Sequence, residues 1–233
     1  MWSGHFFIGN SFALYTGERA DTNETHKHVA YQLTHSHSGS VEVTNEFGKK
    51  VAAQTVLIPP LVSHSIHSNF PLTLLYLEPH SYLVERLLKT KRHQSITVFD
   101  ITDFPIELNQ KDNTLIGSLN VLANKPSSNV DHRVLLAMQK LDENPGELSV
   151  AKAAKMSGLS ESRLRTIVRK QLGISLASWL IWRKLKSAGD ELNKGANLID
   201  ASIAGGFTDQ AHFTRSMRRM FGITPTMALN ALR

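Results

Sequence analysis

Residues 206–225 read GFTDQAHFTRSMRRMFGITP, and an earlier stretch, residues 158–175, reads GLSESRLRTIVRKQLGIS. Aligned on Gly158-Leu159-Ser160 and Gly206-Phe207-Thr208, the two lie 48 residues apart. Aligned on Leu172-Gly173-Ile174-Ser175 and Phe221-Gly222-Ile223-Thr224, they lie 49 apart, so the second copy carries one extra residue at the start of its helix. Each copy reads as a short helix, a tight turn marked by glycine, a hydroxyl placed as an N-cap, and a basic amphipathic helix. That is a helix-turn-helix pattern, and its repetition predicts two such units on one chain.

The faces of the two basic helices separate. Leu164, Ile167, Val168 and Leu172 form one apolar stripe, with Ser162, Arg163, Arg165, Thr166, Arg169 and Lys170 on the other faces. In the second copy Phe213, Met217, Met220 and Phe221 make the stripe, leaving Gln210, His212, Arg215, Arg218 and Arg219 outward. Arginine suits guanine edges, glutamine suits adenine, and arginine or lysine suits phosphate. Ser160 and Thr208 are placed as N-caps, so both helix starts would direct backbone amides at phosphate. Between the copies, Leu176–Asn193 reads as one long helix of about 27 Å at ~1.5 Å per residue, near the ~34 Å between successive major-groove segments. Gly189 inside it should cost up to ~1 kcal/mol relative to alanine, for which close packing against a neighbour is the expected reason.

Charge divides in the same way. Residues 1–130 carry a net charge of −1 and residues 131–233 a net charge of +7. All the positive excess therefore sits with the repeat, the electrostatic footprint of a polyanion binder. Cysteine is absent, which excludes disulfides and thiolate metal sites. No apolar run reaches the ~18 residues of a membrane span, and MWSGHFFIGN lacks a basic leader, so no membrane partner and a cytoplasmic location are expected.

Residues 1–80 alternate short apolar runs with Gly, Asn, Pro and Ser breaks. Val29–Leu33, Val41–Val43, Val51–Ile58 and Leu72–Leu77 read as strands, with Ile96–Phe99 as a further one. Tyr82–Lys89 and Leu115–Leu122 read as helices, and residues 124–129, polar with one proline, as a linker. Beyond it the chain reads helical: Asp131–Asp142, Ser149–Ser157, Ser160–Leu172, Leu176–Asn193, Leu198–Ala204 and Thr208–Phe221. Pro225 is expected to stop regular helix before a short tail helix, Thr226–Leu232. The expected fold class is α+β in two domains. A small β-barrel covers residues 1–100, a helical connector and linker 101–130, and an all-α tandem helix-turn-helix domain 131–233.

Over residues 131–233, and most specifically over Gly206–Pro225, the chain resembles the AraC/XylS family of bacterial transcription regulators. The resemblance implies two recognition helices in adjacent major-groove segments of double-stranded DNA. Ser162, Arg165 and Thr166 would face bases from the first, and Gln210, Ala211, His212 and Arg215 from the second. Arg163, Arg169, Arg218 and Arg219 are assigned to phosphate or the outer face. The sequence departs from the family at Ala201-Ser202, Gly205 and Met217, which predicts a less tightly packed second unit. The first half is similar to the cupin-like barrel that often precedes this domain, through His26-Lys27-His28, Gln32 and Pro59…His64. Gln32 replaces the usual glutamate of that motif and Leu61 a glycine.

The resemblance implies a regulator that changes transcription by RNA polymerase at a nearby promoter. A small-molecule effector would be lined by His26, His28, Gln32, His64 and Tyr76. No cofactor is required by this reading, although His26, His28, Gln32 and His64 form a candidate divalent-metal set. His35, His37 and His67 are expected in loops. Leu83, Leu87 and Leu88 within 81–124 are a candidate homodimer face or a packing face. Two rivals remain at this point: a metal-dependent cupin enzyme with an auxiliary helical domain, and an architectural DNA binder without effector.

Overall fold

The computed structural model describes residues 3–21, 23–88, 94–108, 112–123, 125, 127–143 and 149–231. Its first part is built from strands β1 (Ser3–Ile8), β2 (Phe12–Arg19), β3 (Tyr31–Ser36), β4 (Val41–Asn45), β5 (Lys50–Ala53), β6 (Thr55–Ile58), β7 (His64–His67), β8 (Leu72–Leu77) and β9 (Thr97–Val98). They form two antiparallel sheets, a six-stranded one in the order β1-β2-β8-β3-β6-β9 and a three-stranded one in the order β5-β4-β7. The sheet-rich half expected from the sequence is present, but the strands do not close into one barrel. The run 51–58, expected as a single strand, breaks at Gln54, and its two pieces join different sheets. The β1–β2 hairpin was not anticipated.

The central strands of the six-stranded sheet are buried on both faces, and their side chains sort by the two-residue period of a strand. Phe12 and Leu14 of β2, Leu33 of β3, Leu57 of β6, and Leu75 and Leu77 of β8 point to one core. Helices α1 (Tyr82–Leu87) and α2 (Asp112–Ala123) cover that core through Leu83, Leu87, Leu115 and Leu119. Leu83 and Leu87 are thereby spent on intramolecular packing, so the apolar face considered for a dimer contact lies inside the fold. Ala13, Tyr15, Val56, Ile58, Leu74 and Tyr76 point to the opposite core, which continues into the helical half.

The helical half comprises α3 (His132–Glu143), α4 (Val150–Met156), α5 (Glu161–Leu172), α6 (Leu176–Asn193), α7 (Leu198–Ala204), α8 (Gln210–Phe221) and α9 (Pro225–Ala231). Side chains of Ser149, Ser160, Ser175 and Asn197 cap α4, α5, α6 and α7, each accepting from a first-turn amide. Pro225 does not stop the chain's helix but opens α9, where a missing N–H costs nothing. Lys89, Asn124, Pro126 and Leu232, which enter the sequence expectations for a helix, the linker and the tail helix, lie outside the described residues. Among the described residues, no helix is long and apolar enough to cross a membrane.

The two halves share one apolar core rather than meeting at a wet boundary. Gly189 shows why α6 carries a glycine, since a Cβ there would lie 3.2 Å from Ile8 Cδ1 of β1. Gly205 serves a similar purpose between α7 and α6, where a Cβ would meet the Lys184 carbonyl at 2.8 Å and Ala188 Cβ at 2.9 Å.

Candidate nucleic-acid interface and effector site

Each repeat is one helix-turn-helix, α4–α5 and α7–α8, with α6 running between them. Gly158 and Gly206 adopt φ +63° and +70°, the left-handed region that the tight turns require. Leu164, Ile167, Val168 and Leu172 are buried on α5, as are Phe213, Met217 and Met220 on α8. Phe221 is half-buried, with its ring 5.6 Å from that of Tyr76 on β8 and 5.4 Å from that of Trp182 on α6. The helices leave Ser160, Ser162, Arg163, Arg165, Thr166 and Arg169 exposed on the first unit, and Thr208, Gln210, Ala211, Arg215, Arg218 and Arg219 on the second. An α-helix alternates these faces because the core takes the stripe that repeats every three to four residues.

Two expectations change. Thr208 is not the N-cap of α8; Asp209 is, its carboxylate accepting from the His212 amide at 2.6 Å. The extra residue of the second copy thus lengthens the turn rather than the helix, and an acidic cap replaces the hydroxyl. His212 is half-buried, with its ring edge-on to Phe207 at 5.2 Å and Nδ1 3.2 Å from Thr208 Oγ1. It braces the turn. Arg165 makes an exposed i,i+4 pair with Glu161 at 3.4 Å, and Arg218 lies 3.4 Å from Glu24 of the first half. Exposed pairs of this kind are weak and yield readily to a stronger anion.

The second site gathers all five residues expected to line it. His26 and His28 do not lie on a regular strand. They sit in the segment before β3, where His26 makes one isolated bridge to His64. His26 and His64 ring centres are 4.3 Å apart, those of His28 and His64 5.1 Å, and those of His28 and Tyr76 5.2 Å. Imidazole nitrogens of His26, His28 and His64 all lie within 4.8 Å of one another. Leu61, the departure from glycine, nonetheless holds φ +64°, so the residue type has changed while the backbone conformation that suits glycine has been kept.

Hydrogen bonds set the tautomers. Nδ1 of His26, His28 and His64 lies 3.0, 2.9 and 2.9 Å from the carbonyls of Glu24, Ala30 and Val62. A carbonyl only accepts, so each Nδ1 carries the proton and each Nε2 presents a lone pair; at His26 the Glu24 carbonyl is nearer than the competing donor, Asn23 Nδ2 at 3.3 Å. The Nε2 atoms of His28 and His64 then face Gln32 Oε1 at 2.8 and 3.3 Å, while Gln32 Nε2 donates to Thr34 Oγ1 at 2.8 Å. His26 Nε2 is buried with no hydrogen-bond partner. Reversing the Gln32 amide would supply donors to His28 and His64 but none to His26. Burial first, then the charge of His28, pushes the His26 imidazole down to about 3; burial pushes His28 down to about 4. Burial, then His26 and His28, holds His64 well below its ordinary value. Three neutral imidazoles with carbonyl-anchored Nδ1–H, each with a ring nitrogen within 4.8 Å of the others, are an arrangement able to ligate a divalent cation.

This cluster is roofed by the helical half. Trp182 of α6 lies 6.2 Å from the His28 ring and 5.8 Å from Tyr76, and Phe221 of α8 lies 5.6 Å from Tyr76 and 5.4 Å from Trp182. Beside it Glu78 is fully buried and accepts from Trp179 Nε1 at 2.8 Å, Trp182 Nε1 at 3.2 Å, Arg183 Nη1 at 3.1 Å and Lys186 Nζ at 2.7 Å. The sequence does not single out Glu78 or Asn23, and it places Phe221 in the apolar stripe without its contact to Tyr76. A signal existed in α6, where Trp179, Trp182, Arg183 and Lys186 recur at helical spacing on one face. Of the histidines expected in loops, His35 lies buried on β3 with Nδ1 2.8 Å from Thr55 Oγ1, and His67 ends β7.

A family described as a helix-turn-helix domain matches residues 153–231. The virulence regulon transcriptional activator VirF of Yersinia enterocolitica is 31% identical over 80 residues, 34% of this chain and 30% of that protein. The chain thus spans about a third of the length of that relative. PqrA of Proteus vulgaris is 31% identical over 87 residues, 37% of this chain and 70% of that protein. Among solved structures, unsaturated fatty acid-bound ToxT from Vibrio cholerae aligns with a TM-score of 0.58 at 11% identity, covering 100% of this chain and 98% of that one. At that identity the likeness speaks to the fold, a sheet-rich part followed by a helical helix-turn-helix part.

Proposed function

The chain belongs to the AraC/XylS family of transcription regulators, and from that membership we propose that it binds specific duplex DNA and changes transcription at a nearby promoter. The observation that carries this reading is the pair of exposed polar faces on α5 and α8, one on each side of the 18-residue helix α6. Ser162, Arg165 and Thr166 read bases from α5, and Gln210, Ala211 and Arg215 from α8. Ser160, Arg163, Arg169, Thr208, Arg218 and Arg219 hold phosphate, and His212 supports the second turn. RNA polymerase is the partner at the promoter, and association into a homodimer uses a surface other than Leu83 and Leu87. Such a regulator works in the cytoplasm.

Arg165→Ala and Arg215→Ala each lower discrimination between the operator and random DNA by ~1–3 kcal/mol, the worth of a bidentate base contact. Fluorescence anisotropy on both DNAs measures it, and equal losses on both would reassign these side chains to phosphate. Wild-type affinity for the operator falls steeply between 50 and 200 mM salt, by roughly 10³–10⁵ for six to ten phosphate contacts. A flat response would remove DNA as the partner.

The sheet half takes the effector, and His26, His28, Gln32, His64 and Tyr76 form its site. ToxT is described with an unsaturated fatty acid. Here three imidazoles, an amide and a phenol crowd together, a lining poorly suited to an acyl chain and well suited to an ion. The effector proposed is a divalent transition-metal ion on His26, His28 and His64, with Gln32 Oε1 as a fourth, weaker donor. Elemental analysis of the purified chain tests it: one zinc, nickel or manganese per chain supports the site, and none after equilibration with each removes it.

A further inference from the structure

The histidine cluster and the second recognition helix share one wall, the segment of residues 23–28. Its inner side supplies His26 and His28. Its outer side holds the last turn of α8: the Glu24 amide donates to the Gly222 carbonyl at 3.0 Å, the Lys27 amide to the Arg219 carbonyl at 3.3 Å, and Asn23 Nδ2 to the Phe221 carbonyl at 2.9 Å. Asn23 Oδ1 accepts from the Ile66 amide at 2.9 Å, two residues along β7 from His64. One buried asparagine thereby ties the strand that carries a cluster histidine to the end of α8. Gly222 makes the approach possible, because at φ +67° its Cβ position lies 2.2 Å from the Glu24 carbonyl and 2.9 Å from His26 Nδ1. No larger residue brings the helix end this near.

We propose that a divalent ion held by His26, His28 and His64 latches the last turn of α8 onto the 23–28 segment, so that ion occupancy sets how firmly the second recognition helix is fixed to the sheet half. The proposal rests on reading the trio as an ion site. Two physical effects act in the same direction. The carbonyl end of α8 carries the negative pole of the helix dipole and abuts the cluster, so a dication placed there attracts it. Ligation at Nε2 also fixes the His26 ring, whose Nδ1–H donates to the carbonyl of Glu24, the residue whose own amide holds Gly222. With the ion removed, His26 Nε2 stays buried without a partner, which favours opening of the shared wall.

The test is amide hydrogen exchange on the full chain, stripped of metal and then titrated with zinc chloride. The amides of Glu24 and Lys27 are the readout, since each donates across the wall to α8. Zinc is expected to slow their exchange tenfold or more in the wild type and to leave it unchanged in His64→Ala. Asn23→Ala removes the tie without removing a ligand, so it still binds one zinc per chain while its exchange slows much less. Should His64→Ala fail to fold, the Asn23→Ala comparison alone decides. Stoichiometric zinc binding with no slowing at Glu24 and Lys27 overturns the latch and leaves the ion site standing. Failure to bind zinc at all overturns the ion site, and the latch with it.

Discussion

Glu78→Ala will cost about 3–5 kcal/mol of stability, the loss expected when one partner of a buried ion pair is removed. Glu78 is fully buried and Lys186 is 3% exposed, so neither charge has water to fall back on. The carboxylate is the centre on which two indole N–H groups, a guanidinium and an ammonium converge from one face of α6. Its removal leaves the Lys186 ammonium in the interior with the Gly9 and Asn10 carbonyls at 2.6 and 2.9 Å but without that negative charge. Glu78→Gln should lose less, because an amide oxygen still accepts from an indole. Urea unfolding at pH 7 measures both, and a cost below about 1 kcal/mol for Glu78→Ala would mean the pair contributes little more than an exposed one.

The same cluster gives stability a pH signature. Burial alone would raise the Glu78 carboxyl, but Lys186 first, then Arg183 and His80, hold it well below the carboxylate range. A depressed carboxyl stabilises fully above its unfolded value near 4.5 and loses that contribution as pH falls further. His80 adds an earlier loss. Burial holds it down at about 4 from an ordinary 6.5, so between those values the unfolded chain takes up a proton that the folded chain refuses. Stability therefore declines as pH falls from about 6.5 toward 4 through His80, with buried His26, His28 and His64 acting in the same direction, and Glu78 carries the decline on below about 4.5.

Trp182→Ala will cost about 3–5 kcal/mol as well, the range for deleting a large buried aromatic. Its ring has no exposed surface and touches both halves, lying against His28 and Tyr76 on the sheet side and Phe221 on α8. The cavity opens at the boundary between halves, where neither can collapse without moving the other. Trp182→Phe should recover part of the loss, since a six-membered ring returns while the rest of the indole and its N–H to Glu78 stay missing. The Glu78→Ala and Trp182→Ala costs will sum to more than the double variant's cost, because the indole and the carboxylate are hydrogen-bonded. Strict additivity in urea unfolding would show that the two act on separate parts of the core.

The helical half was the more legible in sequence because its signals are local. Caps at Ser149 and Ser160 and the stripes of α5 and α8 are written within a few residues of one another. The bounds of α6 and α7 follow the sequence expectation residue for residue. Where the expectation slipped, at Thr208 against Asp209, two adjacent residues with capping side chains compete and the turn geometry chooses between them. The sheet half was harder to read. The Leu72–Leu77 strand is plain from its composition, but the division of residues 51–58 between two sheets depends on pairing partners far along the chain.

By itself, the sequence determined that two cationic helix-turn-helix units exist, and it placed most of their buried and exposed side chains, with His212, Phe221 and the start of α8 as the exceptions. Periodicity and capping are short-range, so neighbouring residues decide them. Only the tertiary structure decided that His26, His28 and His64 anchor their Nδ1 atoms on carbonyls, and that α6 and the end of α8 roof the cluster. It also decided that Glu78 meets Lys186 across 108 residues of chain. Such encounters are set by which strands pair and which faces bury together, and a buried charge has no signature until its partner arrives.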